Sequence, residues 1–296
     1  MEDTKLISLL AVNESKNFTL AAKQLNLTQP AISQHIRQLE TELNIKIFNR
    51  VGAELKITPE GEILVKYARR IVSMYADLES RLKDLKRHSK TLTIGITHTA
   101  ESNIVAEVLA SYSLSNKGTK IKIISDTIKN LYDKLSTYEI DFAFVEGKVT
   151  EKKYSSILLD TDHLVAVMNL NNPLAKNKII NINDLKKEKM ILRSKQSGTR
   201  SLFVTQLANM NMSIDEFNVI MEIDNIATIK DLIRKGVGVS VLPRSVCFSE
   251  LKDHSLAILP IENVDMIREM NVVFVKDFVS MDILDDIISI YREMSI

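Results

Sequence analysis

The chain has 296 residues, with 39 Lys and Arg against 38 Asp and Glu, 45% hydrophobic residues and one cysteine. This composition is that of a folded globular protein and excludes a disordered chain. A single hydrophobic core stops growing at about 250–300 residues, so we expect more than one compact unit. No stretch approaches the ~18 apolar residues of a membrane span and no signal peptide is recognisable, so we expect a cytoplasmic protein that makes no membrane contact.

The charge is distributed unevenly along the chain. Residues 1–90 hold 15 Lys and Arg against 11 Asp and Glu, a net charge of +4, whereas residues 91–296 hold 24 against 27, a net charge of −3. A polyanionic partner is therefore expected at the N-terminal end, although solvated helices also carry extra lysines. Cys247 and the five histidines show no metal-ligand spacing, so we expect neither a metal nor a cofactor and interpret Cys247 as core or surface filler.

Two helices are predicted in the first 25 residues. The first follows a capping residue, Asp3 or Thr4, and its apolar residues recur at near-helical spacing; they are Leu6, Leu9, Leu10 and Val12. The second begins with Thr19 as its N-cap and runs to Leu25. Its small-residue face allows another helix to pack closely.

A third helix is predicted after the turn at residues 26–27. Thr28 is its N-cap, and Pro30 lies in its first turn, where a missing amide costs little. The spacing of its apolar residues places one stripe toward the first two helices; these residues are Ala31, Ile32, Ile36, Leu39 and Leu43.

The opposite face of this helix is polar and carries Gln29, Ser33, Gln34 and Arg37. Amide, hydroxyl and guanidinium groups near the N-terminal end of a helix can pair with base edges in a major groove. Phosphates can bind at exposed amides at helix ends, including those at Thr19 and Thr28. The alternative is that these residues form the solvated surface of an ordinary amphipathic helix.

Residues 46–50 and 55–57 then predict a two-stranded wing with its turn at residues 51–54. Together with the three helices, these motifs resemble the LysR-type transcriptional regulators; they lie at residues 18–22, 25–33, 36–40, 48–50 and 57–61. The resemblance implies that Gln29, Pro30, Ser33, Gln34 and Arg37 approach bases or nearby phosphates of double-stranded operator or promoter DNA, and that Arg50 lies at the wing. Family wings often carry a basic tip, whereas this one has Ala53 and Glu54. We therefore expect Arg50 and Lys56 to contact the DNA backbone alone.

A long helix follows, capped by Thr58 with Pro59 at its first position. Its apolar residues predict a heptad seam, formed by Leu64, Ala68, Ile71, Tyr75, Leu78, Leu82 and Leu85. The alternative is a helix packed on its own domain. The resemblance favours a linker helix that forms a homodimer, so that two half-sites are read together; it also implies a homotetramer and RNA polymerase as a further partner.

From residue 91 onward, strands and helices alternate. Strands at 92–96, 121–124 and 141–145, with helices at 102–115 and 128–137, predict a βαβαβ unit with a parallel sheet. A second unit has strands at 164–168, 189–192, 219–222 and 239–242, with helices from about 201 and at 226–235. The last strand, 270–275, and the helix 281–294 are expected to return to the first unit. Two lobes, 91–160 with 266–296 and 161–265, would then enclose a ligand cleft.

The residues after these strands are the candidates for an effector site. They are Thr97, His98, Thr99 and Ser102 after the first strand, Thr127 after the second, Glu146 after the third, and Ser197, Gly198 and Thr199 at the start of a helix in the second lobe. Hydroxyls and a glycine before a helix present amides to an anion, which predicts a carboxylate, phosphate or sulfate on the ligand. Such residues are also ordinary helix caps, and that alternative stays open.

The motifs of this half also resemble the LysR-type sensor module, whose lobes are similar to periplasmic binding proteins; they lie at residues 141–147, 193–200 and 233–243. The resemblance implies that Thr97, Thr99, Ser197 and Thr199 line the inducer site. His98 and Glu101 stand where small residues are more usual, which leaves the size and charge of the ligand open.

The predicted fold is therefore α/β, with a mainly helical winged helix-turn-helix at 1–59, a linker helix at 60–88 and a two-lobed effector-binding domain at 91–296. The predicted function is a sequence-specific transcriptional regulator that responds to a small-molecule effector. An enzyme would need a nucleophile with its base, a metal cluster or a phosphate loop, and none is recognisable. A solute-binding transport protein would need export and would not use the first ninety residues. The effector, the target genes and the choice between activation and repression do not follow from the sequence.

Overall fold

The structure, a computed structural model, describes residues 4–51, 54–87, 90–102, 104–264, 266–278 and 280–295. The chain forms two compact units. Unit 1 comprises Met1–Thr91 and Asp133–Ile140, and unit 2 comprises Leu92–Tyr132 and Asp141–Ile296. The predicted domain limits at 59/60 and 88/91, and the predicted lobe limits, stay predictions.

Unit 1 begins with three helices, followed by a two-stranded ribbon and a long helix. Their bounds are α1 Thr4–Ser15, α2 Phe18–Gln24, α3 Gln29–Leu43, β1 Phe48–Val51, β2 Glu54–Ile57 and α4 Pro59–Arg87. The helices enclose one apolar core. The predicted stripe of α3 supplies Ile32, Ile36 and Leu39 to this core, and the small-residue face of α2 supplies Ala21 and Ala22. Leu43, also expected on the stripe, lies exposed at the helix end.

The second helix begins earlier than predicted. Its N-cap is Asn17, whose side-chain oxygen accepts hydrogen bonds from the amides of Thr19 at 2.8 Å and Leu20 at 3.1 Å. The prediction of Thr19 as the N-cap is therefore wrong; Asn17 has the extended backbone that a cap requires and an equally suitable acceptor. Thr28 caps α3 as predicted, since its Oγ1 accepts from the amide of Ala31 at 3.3 Å.

The wing is an antiparallel ribbon in which Phe48 lies opposite Ile57 and Arg50 lies opposite Leu55. It begins two residues later than predicted, at residue 48. The predicted turn residues Gly52 and Ala53 lie outside the described residues.

The start of α4 is as predicted, because Thr58 Oγ1 accepts from the amide of Gly61 at 3.0 Å. The heptad seam is wrong at its first two positions: Ala68 is 0% exposed and packs in the core of unit 1, and Leu64 is half-buried against that core. The outward apolar residues form a different line, spaced by three or four residues and 51–61% exposed. This outer stripe consists of Ile63, Tyr67, Ile71, Met74, Leu78 and Leu82.

Three predicted seam residues, Ile71, Leu78 and Leu82, belong to the outer stripe, whereas Tyr75 is half-buried. The side chain of Leu85 lies outside those that the structure describes. The first half of α4 has two apolar faces, one of which completes its own core. The phase of the exposed face therefore differs from the predicted heptad.

Unit 2 contains the remaining elements, several of which extend beyond the predicted ranges. They are β3 Lys90–Thr97, α5 His98–Glu101, α6 Val105–Ser115, β4 Thr119–Asp126, α7 Ile128–Ser136, β5 Phe142–Glu146, β6 Tyr154–Met168, α8 Ile182–Leu185, β7 Lys189–Leu192, α9 Gly198–Asn209, β8 Asn218–Glu222, α10 Ile226–Arg234, β9 Ser240–Pro243, α11 Phe248–Asp253, β10 Ala257–Leu259, β11 Ile267–Val275 and α12 Met281–Met294. By the division into units, β3 begins and α7 ends in unit 1.

Seven strands form the main sheet, in the order β10-β6-β11-β5-β3-β4, with β9 also paired to β6. β3 and β5 are parallel, as predicted, whereas β11 runs antiparallel to both β5 and β6. The last strand thus returns to the first α/β unit, as predicted. The long strand β6 pairs with β11 through its first part and with β9 and β10 through its second.

Three apolar cores stabilise these strands. The first surrounds β3, β5 and β11 and includes Phe142, Phe144 and Leu284. The other two lie on opposite faces of β6, because Ala166 belongs to one and Val167 to the other. In the described part of the chain, no helix combines the length and hydropathy that a membrane crossing requires.

The helix predicted at 102–115 is wrong at its start. Thr97 caps a single-turn helix, α5, by accepting from the amide of Ala100 at 3.1 Å, and Ser102 ends that turn. The next helix, α6, begins at Val105. Apolar periodicity predicted the buried face of α6, but it gave no signal for the separate short helix α5.

Candidate functional site

The predicted DNA-contacting face of α3 is exposed. Gln29, Gln34 and Arg37 are exposed, and Ser33 is half-exposed. Gln29 Nε2 donates to Ser33 Oγ at 2.8 Å, one helical turn later, so these two side chains form a connected donor and acceptor group. Because the opposite side of the helix is buried, this polar face is held in a fixed direction. Such a face can offer amide, hydroxyl and guanidinium groups to base edges.

The other predicted contacts surround this helix. Thr28 and Pro30 are exposed in its first turn, Thr19 is exposed in the first turn of α2, and Arg50 is exposed on β1. Thr28 Oγ1 accepts a capping hydrogen bond, which leaves its hydroxyl proton for an acceptor. Thr19, although not a cap, lies in the first turn of α2, where the helix dipole favours a phosphate; its amide and that of Leu20 already donate to Asn17, so its hydroxyl is the group available to a phosphate.

Glu40, at the C-terminal part of α3, joins the helix to the wing. Its Oε2 pairs with Lys46 Nζ at 2.9 Å, and its Oε1 accepts from the amide of Ile47 at 2.9 Å. On the buried side, His35 Nδ1 lies 2.8 Å from Ser8 Oγ of α1. These contacts position α3 relative to α1 and the wing.

Unit 2 contains a cavity of about 660 Å³ at the carboxyl ends of β3, β4, β5 and β7. Seven predicted effector residues line it: Thr97, His98, Thr99, Thr127, Glu146, Ser197 and Gly198. Residues from both predicted lobes therefore meet at one cavity. Ligands of open α/β sheets bind beyond the carboxyl ends of the strands, and this cavity lies there.

Two predicted residues do not line this cavity. Thr199 is 1% exposed, and its Oγ1 accepts from Arg268 at 3.4 Å on the buried side of α9. Ser102 lies at the end of α5, with its Oγ 3.5 Å from the carbonyl oxygen of His98. The structure does not bring these two residues to the cavity, because Thr199 points into the core from the first turn of α9 and Ser102 ends α5; their part in effector binding stays a prediction.

Some of these hydroxyls cap helices, which is the alternative to ligand binding, and others do not. Thr97 caps α5 and also donates to Glu146 Oε1 at 2.7 Å, and Thr127 Oγ1 accepts from the amide of Asn130 at 3.4 Å. Ser197 is the N-cap residue of α9, yet its hydroxyl makes no capping hydrogen bond and has no partner among the described residues. Ser197 therefore presents a buried hydroxyl to the cavity.

Arg193 is the most important cavity residue that the predicted site set lacks. It is 3% exposed, lines the cavity, and its Nε and Nη1 have no hydrogen-bond partner among the described residues. Burial lowers the pKa of Arg193, an effect that Asp224 and Glu146 oppose and that Arg268 reinforces. A guanidinium remains charged in proteins, so the cavity holds a buried cation with free donors. Its position directly after strand β7 was the signal that sequence reasoning passed over.

Further charged and polar residues of the wall were also absent from the predicted set. They are Asp126, Lys129, Asn130, Ser194, Gln196, Ser201 and Asp224. Asp126 Oδ1 accepts from the amide of Thr127 and from Asn130 Nδ2, so it stabilises the start of α7. His98 Nδ1 lies 3.7 Å from Glu101 Oε2, an ion pair only when the imidazole is protonated.

Two family models cover most of the chain. Residues 4–62 match the bacterial regulatory helix-turn-helix protein of the lysR family, and residues 86–288 match the LysR substrate binding domain. The chain belongs to the LysR family of transcriptional regulators: it is a DNA-binding regulator with an effector-binding domain.

Curated relatives agree with this assignment. A probable RuBisCO transcriptional regulator of Trieres chinensis is 27% identical over 271 residues, which cover 90% of this chain and 88% of the relative. The HTH-type transcriptional regulator CysL of Bacillus subtilis is 27% identical over 267 residues, with the same coverage.

Solved structures show the same fold. Full-length CbnR in complex with its target DNA has a TM-score of 0.70 at 18% identity, and the match covers 99% of both chains. A full-length OxyR variant from Pseudomonas aeruginosa has a TM-score of 0.66 at 20% identity, and the match covers 99% of this chain and 95% of that one.

Proposed function

We propose that the exposed face of α3 reads the operator, with Arg37, Gln34 and Gln29 as the residues that contact base edges. The observation that carries this proposal is the polar face of α3 on a helix whose other side is anchored in the core. Arg37 can donate two parallel hydrogen bonds to a guanine, and glutamine amides can pair with an adenine. Ser33, Thr28, Thr19 and Arg50 serve the phosphates around this contact.

The test is selection of bound duplexes from random DNA. We expect the native chain to enrich a sequence with two half-sites about one helical turn apart, or a multiple of it. Arg37→Ala should lose specific enrichment, since each bidentate base contact is worth about 1–3 kcal/mol of discrimination. Arg69→Ala, which removes the same charge from an exposed position on α4, is the matched control and should enrich the native sequence. Equal enrichment by both variants would overturn the assignment of Arg37.

The dimer that reads two half-sites is proposed to form through the outer stripe of α4. Six large apolar side chains lie exposed on one helix face, which is a face that a second copy can bury. The homotetramer and a contact with RNA polymerase belong to the same proposal and rest on the family resemblance. The chain is further proposed to act in the cytoplasm, as a DNA-binding regulator and not as an enzyme.

The effector is proposed to carry an anionic group that occupies the part of the cavity near Arg193 and Ser197. Two nitrogens of the buried Arg193 guanidinium and the buried Ser197 hydroxyl have no hydrogen-bond acceptor within the part of the chain that the structure describes. An anion in the cavity supplies such acceptors. Both residues line the same cavity, and Ser197 begins the twelve-residue helix α9, whose amides and dipole favour negative charge. The acidic wall residues Asp126, Glu146 and Asp224 disfavour a multiply charged ligand.

This proposal is tested by a thermal-shift screen of carboxylates, phosphates, sulfates and amines of matched size. We expect anions to stabilise the native chain. Arg193→Met should weaken the best anion by about 10- to 100-fold, as charged hydrogen bonds are worth ~1.5–3 kcal/mol, and Ser197→Ala by less. Ser240→Ala removes another buried, unpartnered hydroxyl that lies outside the cavity and should change nothing. Stabilisation by amines alone would contradict the proposal.

A further inference from the structure

Unit 2 contains a second cavity, of about 630 Å³, on the other side of the start of α9. Four residues line both cavities: Ile128, Glu146, Gly198 and Ser201. Ile128 Cδ1 lies 3.8 Å from the place that a Cβ on Gly198 would occupy, so α7 and α9 approach closely there. This approach divides the space into two cavities with different walls.

The second cavity contains its own buried guanidinium, that of Arg268 on β11. Arg268 is 8% exposed, and its Nε has no hydrogen-bond partner among the described residues. Its two other contacts, Nη2 to Asp162 Oδ2 and Nη1 to Thr199 Oγ1, are both 3.4 Å long. Such distances lie beyond the usual 2.7–3.2 Å range, so both contacts are weak.

Asp162 pairs with this cation through a single long contact of 3.4 Å, and its oxygens also accept shorter hydrogen bonds from neutral donors. Ser245 Oγ donates to Asp162 Oδ2 at 2.6 Å, and the amide of His163 donates to Oδ1 at 2.9 Å. Buried charges in proteins are normally paired and well hydrogen-bonded. Arg268 therefore retains donor capacity for an acceptor placed in the cavity.

The rest of the wall determines what kind of acceptor fits. Ile128, Leu202 and Ile267 supply apolar surface, and Ile267 is 59% exposed beside the buried Arg268. Among the charged wall residues, Lys148 and Arg268 are balanced by Glu146 and Glu269. A wall without net charge disfavours a multiply charged ion such as phosphate, whereas a single carboxylate can bind the unpartnered Nε of Arg268.

We propose that the second cavity is a separate ligand site for a monocarboxylate with an apolar body, whose carboxylate binds Arg268 and whose body lies against Ile128, Leu202 and Ile267. This site is additional to the effector cavity of the proposed function. A guanidinium that binds a carboxylate forms a charge-assisted hydrogen bond, and an apolar body is stabilised by burial.

The test is calorimetric titration of the full chain, without DNA, with three probes. Octanoate has both the charge and the apolar body, 1-octanol has the body alone, and inorganic phosphate has charge alone. We expect octanoate to bind at least ten-fold more tightly than 1-octanol, and phosphate, which can occupy the first cavity, should not displace octanoate. Equal binding of octanoate and 1-octanol, or no binding of octanoate, would overturn the proposal.

Two tryptophan variants locate the bound probe. Thr205 lines the second cavity only and Gln196 lines the first only, and both are exposed. Thr205→Trp should abolish octanoate binding, whereas the matched control Gln196→Trp should leave it unchanged; the reverse pattern would place the probe in the first cavity and refute the second site. Arg268→Met should remove the preference for octanoate over 1-octanol. The absence of DNA separates failure of this site from failure of the operator proposal, and the two tryptophan variants separate it from failure of the effector proposal.

Discussion

The substitution Leu78→Asp tests whether the outer stripe of α4 is a dimer interface. Leu78 is 51% exposed in the single chain, so a partner helix can bury about half of its side chain. Full burial of a leucine stabilises by about 1.5–3 kcal/mol, and half of that is ~1 kcal/mol per chain or ~2 kcal/mol per dimer. A carboxylate introduced on each chain adds desolvation and like-charge repulsion. We therefore expect the dimer dissociation constant to rise by at least about 30-fold.

Sedimentation equilibrium over a concentration series measures this constant directly. The matched control is Leu170→Asp, which introduces the same charge at a leucine that is 54% exposed outside α4. Leu170→Asp should leave the association unchanged, and the monomer of each variant should unfold like the native monomer, because neither side chain supports the core of the chain. A dimer that survives Leu78→Asp, or that is weakened equally by Leu170→Asp, would refute the assignment of the interface.

Three further predictions concern the cores. Gly61→Ala should lower the free energy of unfolding by about 1–3 kcal/mol in a denaturant titration, because its Cβ would lie 2.4 Å from the carbonyl oxygen of Ile47; an unchanged midpoint would show that the backbone yields freely. Cys247 is fully buried, and burial raises its pKa to about 12, so at pH 8 only about one thiol in 10⁴ is ionised and a thiol reagent should react no faster than the chain unfolds. Because burial holds the pKa above its ordinary value of 9.0, the stabilising contribution of this thiol is complete below pH 9 and declines as pH rises from 9 toward 12. Rapid labelling of the native chain at pH 8 would contradict the raised pKa. Glu250→Ala should lower the free energy of unfolding by ~3–5 kcal/mol, because it leaves the half-buried Lys230 without its carboxylate partner at 2.9 Å. Glu250→Gln should lower it by less, because glutamine keeps the packing of the side chain.

Much of the fold could be predicted because it depends on periodicity. The buried side of α3 and the strands at residues 142–146 and 189–192 carry apolar runs that mark one face or both faces of an element. The position of the first cavity followed from topology, since loops after strands gather at one edge of a sheet. Seven of the nine predicted effector residues lie on its wall.

The errors arose where two residues compete for one capping position, or where one helix has two apolar faces. Asn17 and Thr19 are both good N-caps two positions apart, and only the backbone conformation selects Asn17. On α4 the apolar residues serve an internal core and an exposed stripe at once, so a single heptad could not describe them. The place of Thr199 at the start of a helix also failed to show that its side chain points inward.

The free donors of Arg193 and Arg268 could not have been predicted from one sequence. Whether a buried guanidinium lacks acceptors depends on side chains distant in the chain, such as Asp224 for Arg193 and Asp162 for Arg268. An arginine directly after a buried strand was a signal for the first; the second lies within β11 and gave none.

Genome-wide occupancy in living cells, compared between the native chain and Arg37→Ala, tests the central claim most directly. We expect discrete peaks upstream of genes for the native chain, with a shared two-part sequence under them, and loss of these peaks in Arg37→Ala at equal protein abundance. Native occupancy without discrete peaks, or peaks that persist unchanged in Arg37→Ala, would contradict the conclusion that α3 carries operator recognition.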